Sequence, residues 1–216
     1  MLISDMFDVL SFALMICSIA IVGCQRIVTA IRILALQSFI LGGVAIATAY
    51  RTHVTELYGI AFLTILLKGI IIPWILHFTM RKIGLYRQTE KVFSREWSIL
   101  ISTALLIVGY SAIYRLGLND TYIEKQYLPI SIAILLIGLF VMMTHKKAVM
   151  QGIGLIVMEN GLFLTALSMT YGMPSLVEIG VFFDVVVAVV LISTLTRRME
   201  QMFQSTNTDQ LRRLKG

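Results

Sequence analysis

Charged residues are scarce in this chain of 216 residues. They make up 14% of the sequence, whereas 58% of the residues are hydrophobic and the mean hydropathy is +0.87. Soluble domains carry roughly 25% charged residues, so this composition excludes an ordinary soluble fold. Only three prolines occur and no segment has low complexity, which argues against disordered linkers. The composition therefore predicts an integral membrane protein.

The motifs of catalytic and metal-binding proteins are also lacking. Cys17 and Cys24 lie seven residues apart without a CxxC pair, and we expect them to be apolar packing residues. The three histidines, His53, His77 and His145, have no ligand spacing between them. Phosphate-binding, dinucleotide-binding and nucleophile motifs are absent from the sequence. The sequence therefore predicts no catalytic centre, no metal site and no cofactor in this chain.

Long apolar runs dominate what is present. About 20 apolar residues cross the hydrocarbon core of a bilayer as a helix. Seven segments are close to that length: 6–24, 31–50, 57–79, 98–117, 127–144, 149–171 and 174–196. The predicted fold is therefore all-α, a polytopic membrane protein of about seven transmembrane helices in the lipid bilayer.

The basic residues predict the orientation of these spans. Fourteen of the eighteen Lys and Arg residues follow the first, third, fifth or seventh span, and three lie on the other side: Arg51, Arg115 and Lys125. Basic residues collect in cytoplasmic loops, so the N-terminus is expected outside and the C-terminus in the cytoplasm. Because these residues lie beside anionic headgroups, the net charge of +6 does not indicate nucleic-acid binding.

Ionisable side chains nevertheless occur inside the apolar runs. Lys68, Glu159 and Asp184 fall near the centres of the third, sixth and seventh spans, and Glu178 lies shallower, toward the outer surface. Each charge at the midplane costs about 2.5–3.5 kcal/mol on insertion scales. One interpretation is a proton path through these four residues, with Asn160 orienting Glu159. A second is structural, with Lys68 paired to Asp184 or Glu159 between helices, and a third is the coordination of an ion or a substrate.

Two further residues mark the third span. Pro73 cannot donate a hydrogen bond to the carbonyl of Gly69, which is adjacent to Lys68. The freed carbonyl would be a polar partner at the depth of the proton path, although a proline kink without function explains Pro73 equally well.

A stripe of small residues marks the sixth span. Gly154, Gly161, Thr165 and Ser168 share one face, which is suited to close contact between helices. Because Glu159 lies about 200° from Gly161 around the helix, we expect both faces of this span to meet protein.

The chain shows a weak internal repeat. Lys68 precedes the basic pair 81–82 by thirteen residues, and Asp184 precedes the basic pair 197–198 by the same number. This spacing predicts two parallel three-helix units joined by one helix. The corresponding divisions are 1–96, 97–126 and 127–216.

The C-terminal unit resembles the K-type subunit of bacterial complex I and of multisubunit Na⁺/H⁺ antiporters. The resemblance runs through HKKAVMQGIGLIVMEN and FFDVVVAVVLISTLTRRM. It implies that Asp184 corresponds to a buried glutamate of the third helix in that family. Glu159 lies three residues after the family's carboxylate position, which Ile156 occupies here, and thus near the same helix face. In that family the two carboxylates belong to the polar chain that couples quinone chemistry to proton pumping.

Over its whole length the chain resembles the hydrogenase-4 component E family. The shared features are a third helix with lysine and proline and the run MENG…LVEIG…D…VV…R…LKG. This resemblance implies a non-catalytic membrane-arm subunit in a bacterial inner membrane, packed among antiporter-like subunits and joined through them to a hydrophilic hydrogenase module. The [NiFe] centre and iron–sulfur clusters would belong to other polypeptides. The alternatives are a subunit of a cation/proton antiporter and a structural spacer between antiporter-like subunits.

Overall fold

The computed structural model describes residues 2–83, 93–115 and 127–170, and this part of the chain is all-helical. Seven α-helices and one π-helical segment follow one another: α1 (Leu2–Gly23), α2 (Ile27–Thr52), α3 (Glu56–Thr64), the π segment (Ile65–Ile71), α4 (Ile72–Ile83), α5 (Arg95–Arg115), α6 (Tyr127–Thr144) and α7 (Ala148–Thr170). The α3 helix, the π segment and α4 run on without a break and together form the third predicted span.

The described helices include five that are long and apolar enough to cross a membrane. A sixth apolar helix is shorter, at Val9–Gly23. These six correspond to the first six predicted spans, and the helix ends differ from the predicted bounds by a few residues. The seventh predicted span, 174–196, lies outside the described residues, so seven spans and the division into two three-helix units stay predictions.

The turns between helices are short where they are described. The α1 helix ends at Gly23, and α2 begins at Ile27 after a turn in which Cys24 donates its backbone N–H to the carbonyl of Ile21 at 3.2 Å. The α2 helix ends at Thr52, and the next residue, His53, has a left-handed φ of 56°, a conformation that commonly stops a helix. Such short turns place consecutive helices side by side and antiparallel.

The core lies among α1, α2, α6 and α7. The α2 helix has the most neighbours, since it packs against α1, α3, the π segment, α4 and α7. By contrast, α5 turns much of its apolar surface outward, where Trp97, Ile107 and Tyr114 are exposed. In a membrane protein, such a face meets lipid or another subunit. Cys17 and Cys24 are buried and unbridged, as expected of packing residues.

The α6 and α7 helices share the most extensive contact among the described helix pairs. A Cβ at Gly154 would lie 2.9 Å from the carbonyl oxygen of Gly138, and a Cβ at Gly161 would lie 2.8 Å from that of Ser131. The Thr165 hydroxyl donates a hydrogen bond to the Ser131 hydroxyl at 2.9 Å across the same contact. The small-residue stripe of the sixth span therefore forms the close helix contact that the sequence predicts.

Candidate functional site

Lys68 lies in the π segment, close to the middle of the continuous helix from Glu56 to Ile83. The backbone N–H of Ile72 donates to the carbonyl of Leu67, five residues back, instead of four. Pro73 follows immediately, and a proline ring cannot fit against a regular α-helical turn or donate to it. Widening the turn ahead of the proline is one way to relieve this conflict, and single π turns are frequent at functional sites.

Gly69 permits a close approach on the other side of this turn. A Cβ at Gly69 would lie 3.3 Å from the ring of Phe39 on α2. The π segment therefore packs tightly against α2, and Lys68 is directed away from bulk solvent. Gly69 and Pro73 thus do have a local structural role beside Lys68, whereas a role for the Gly69 carbonyl in proton movement stays a prediction.

The ammonium group of Lys68 meets two side chains of α7. Its Nζ lies 3.5 Å from Glu159 Oε2 and donates a hydrogen bond of 3.3 Å to Asn160 Oδ1. The relative exposure is 0% for Lys68, 3% for Glu159 and 1% for Asn160. We call these three residues the lysine cluster. It links residues 92 apart in sequence and holds both an acid and a base inside the apolar core.

The helices around the lysine cluster explain why a long side chain is needed there. The α2 helix packs against both the π segment and α7, whereas these two share little direct backbone contact within the described residues. Lys68 spans that gap with its four-carbon stem. Glu159 and Asn160 are consecutive on α7 and stand about 100° apart, so both reach the same ammonium group. The opposite face of α7, which carries Gly154 and Gly161, forms the contact with α6, so both faces of this helix meet protein as the sequence predicts.

Burial determines what the lysine cluster can do. An isolated charge in the interior is strongly unfavourable, whereas a hydrogen-bonded pair of opposite charges is tolerated. The same pair can also become neutral by moving one proton from the lysine to the carboxylate. Asn160 can serve either state, because its carbonyl accepts from the lysine whether the amine is charged or not. The arrangement therefore suits a group that is protonated and deprotonated without exposing a net charge to lipid.

Further buried polar atoms lie in or next to the lysine cluster in the sequence. Thr64 Oγ1, four residues before Lys68, and Asn160 Nδ2 have no hydrogen-bond partner within the described residues. Buried polar atoms are normally satisfied, so such groups mark a place where the interior is not purely apolar. Polar surface of this kind is required wherever protons move through a membrane protein.

The structure also shows buried polar groups that the sequence reading missed. Gln37 on α2 is buried and donates from Nε2 to the Ser18 hydroxyl on α1 at 2.9 Å. The signal in the sequence is the single amide in the apolar run LALQSFIL. His145, the residue after the end of α6, is also buried. Its Nδ1 lies 2.9 Å from the carbonyl oxygen of Val141.

The remaining candidates are not brought together in the described structure. Asp184 and Glu178 lie outside the described residues, so their place in the site stays a prediction. Within residues 2–83, 93–115 and 127–170, no group of three His, Cys, Asp or Glu side chains is arranged to hold a metal ion.

Comparison with known proteins gives two relevant similarities. The chain is 28% identical to an uncharacterized protein of Mycobacterium tuberculosis over 216 residues, which covers 98% of this chain and 97% of that protein. It is 24% identical to hydrogenase-4 component E of Escherichia coli over 156 residues, which covers 72% of this chain and 71% of that protein. No protein-family profile matches the chain. No solved structure matches it either.

Proposed function

We propose that this chain is a non-catalytic membrane-arm subunit of an energy-converting, membrane-bound hydrogenase complex related to complex I. In that complex it contributes buried ionisable residues to the movement of protons, or of Na⁺, coupled to redox chemistry. The observation that carries the proposal is the lysine cluster, a buried acid–base pair 3.5 Å apart inside apolar helices. The similarity to hydrogenase-4 component E supports membership of a multisubunit membrane complex.

In this proposal the lysine cluster is the midpoint of a relay. A proton that reaches Glu159 weakens its attraction for the ammonium group of Lys68, and Lys68 then releases a proton onward. Asn160 accepts a hydrogen bond from the lysine nitrogen, at 3.3 Å in the structure, and would keep the lysine in place between the two transfers. Asp184 would be the next acceptor in the membrane and Glu178 the approach from the outer surface. A relay of this kind needs no resident cofactor in this chain.

The redox chemistry would belong to partner polypeptides. The [NiFe] centre would exchange electrons with protons and hydrogen, and iron–sulfur clusters would conduct the electrons. This chain would contribute no ligand to either group. Its neighbours would be antiporter-like and other membrane subunits, which connect it to the hydrophilic hydrogenase module.

The identity of the co-purifying polypeptides tests this proposal. A tag after Gly216 allows the chain to be isolated from its native membrane in mild detergent. We expect subunits carrying a [NiFe] centre and iron–sulfur clusters to co-purify. The purified complex should evolve hydrogen from protons when a reduced viologen dye supplies the electrons. Co-purification of antiporter-like subunits alone, without nickel, iron or hydrogenase activity, would instead favour a cation/proton antiporter.

The orientation of the chain is a second, separate proposal. The bias of basic residues places the N-terminus outside and the C-terminus in the cytoplasm of a bacterial inner membrane. A reporter fused after Arg198 should therefore be found in the cytoplasm, and a reporter fused to the N-terminus should be found outside the membrane. Cytoplasmic activity at both ends would mean an even number of spans, and the topology would then be wrong.

A further inference from the structure

A cleft of about 530 Å³ opens where α1 ends, α2 begins and α5 begins. Arg26, in the turn before α2, and Arg95, the first residue of α5, both line it. Gln25 and Thr29 add polar groups beside the arginines. We call this the arginine cleft. Its volume falls within the range of about 300–1,000 Å³ that is usual for small-molecule sites.

The charge of the arginine cleft is of one sign. The residues that line it include two arginines and no carboxylate among the described residues. Glu96 follows Arg95 in sequence, but it is exposed and does not line the cleft. The planar guanidinium group of arginine matches a phosphate through paired hydrogen bonds, so two arginines from different helices favour a phosphate ligand.

The walls of the arginine cleft distinguish a lipid from a free anion. Ile19 and Ala20 of α1 and Ile99 of α5 form an apolar side next to the arginines. A Cβ at Gly23 would lie 3.5 Å from Ile99 Cδ1, so α1 and α5 meet at the base of this wall. A free phosphate has no use for apolar walls, whereas a phospholipid carries glycerol and acyl carbons directly beside its phosphate.

The position of the cleft agrees with a headgroup. It lies at the ends of three apolar helices, α1, α2 and α5, which is where a membrane helix leaves the hydrocarbon core for water. Trp97, two residues after Arg95, is exposed on α5, and tryptophan is enriched at the level of lipid headgroups. Basic pockets between membrane helices are known binding places for anionic headgroups. We propose that the arginine cleft binds the phosphodiester headgroup of an anionic phospholipid, with Arg26 and Arg95 on the phosphate.

Lipid binding to the purified protein tests this inference independently of any role in proton movement. The full-length chain, with the subunits that stay bound in mild detergent, is titrated with phosphatidylglycerol and with phosphatidylcholine and followed by native mass spectrometry. Each arginine near a charged headgroup contributes about 5-fold in affinity. The double variant Arg26→Gln/Arg95→Gln should therefore bind phosphatidylglycerol about 25-fold more weakly.

The control is Arg115→Gln, which removes the same charge at the far end of α5 and should leave lipid binding unchanged. Both arginines are exposed, so the double variant should keep its unfolding temperature in the absence of added lipid. Unchanged phosphatidylglycerol binding in the double variant would overturn the inference. Displacement of the lipid by excess inorganic phosphate would show a small-anion site instead, and a cross-link from Arg95→Cys to a partner subunit would show that protein fills the cleft.

Discussion

Replacing Glu159 with glutamine should leave the complex assembled while proton movement falls about 100-fold or more, which is the lower range for a positioned proton-transfer group. Glutamine keeps the shape of the side chain and can still accept a hydrogen bond from Lys68, which now lies 3.5 Å from the carboxylate. It cannot take up and release a proton near neutral pH. The measurement is acidification of sealed vesicles, followed with a pH-sensitive dye during redox turnover, beside a native gel that reports assembly.

The matched control is Glu56→Gln, the same chemical change in the exposed first turn of α3. It should leave both assembly and proton movement unchanged. Asp184→Asn should give the same phenotype as Glu159→Gln if both belong to one relay. Normal proton movement in both single variants and in the double variant would reduce these residues to structural partners. Loss of assembly in Glu159→Gln would lead to the same conclusion, because a neutral isostere should not disturb the packing of a relay.

The sequence predicts that Lys68 pairs with a buried carboxylate, but it does not predict which one. Lys68 and Glu159 each lie in the middle of an apolar run. Because an unpaired charge in lipid costs free energy, such side chains usually pair with a group of opposite charge. Two partners for Lys68 are compatible with the sequence, Glu159 and Asp184; the structure places Glu159 3.5 Å from Lys68, and Asp184 lies outside the described residues. Two side chains on separate helices cannot be assigned to each other by periodicity alone, since rotation and distance between helices depend on packing throughout the bundle.

The π segment could not be predicted in the same way. Pro73 signals that the regular helix is disturbed, but a kink, an inserted water and a widened turn all relieve the same conflict. Which one occurs depends on the neighbouring helix. Here Gly69 has no Cβ, and a Cβ at that position would lie 3.3 Å from the ring of Phe39 on α2.

The hydrogen bond between Gln37 and Ser18 could not be predicted from the sequence for another reason. They carry no charge, so burying them costs less, and their hydrogen bond at 2.9 Å exists only because α1 and α2 pack side by side.

Substitutions at Lys68 distinguish a proton relay from a fixed ion pair. One substitution keeps the positive charge but prevents proton release, and the other removes the charge. Lys68→Arg keeps the positive charge but cannot release a proton in a protein, so it should preserve assembly and abolish most proton movement. Lys146→Arg, an exposed lysine after α6, is the matched control and should behave like the unmodified chain. Full proton movement in Lys68→Arg would mean that the lysine is only a counter-charge for Glu159.

Removing the charge gives the complementary result. Lys68→Met leaves Glu159 buried without its cation, and breaking one side of a buried pair costs about 3–5 kcal/mol. We expect a lower unfolding temperature or poor assembly in that variant. Adding Glu159→Gln removes the stranded carboxylate, so the double variant Lys68→Met/Glu159→Gln should regain most of the lost stability. A relay predicts that proton movement stays absent in this stable double variant, because neither side chain can carry a proton. A structural pair predicts that movement returns together with stability, since only the packing would have mattered.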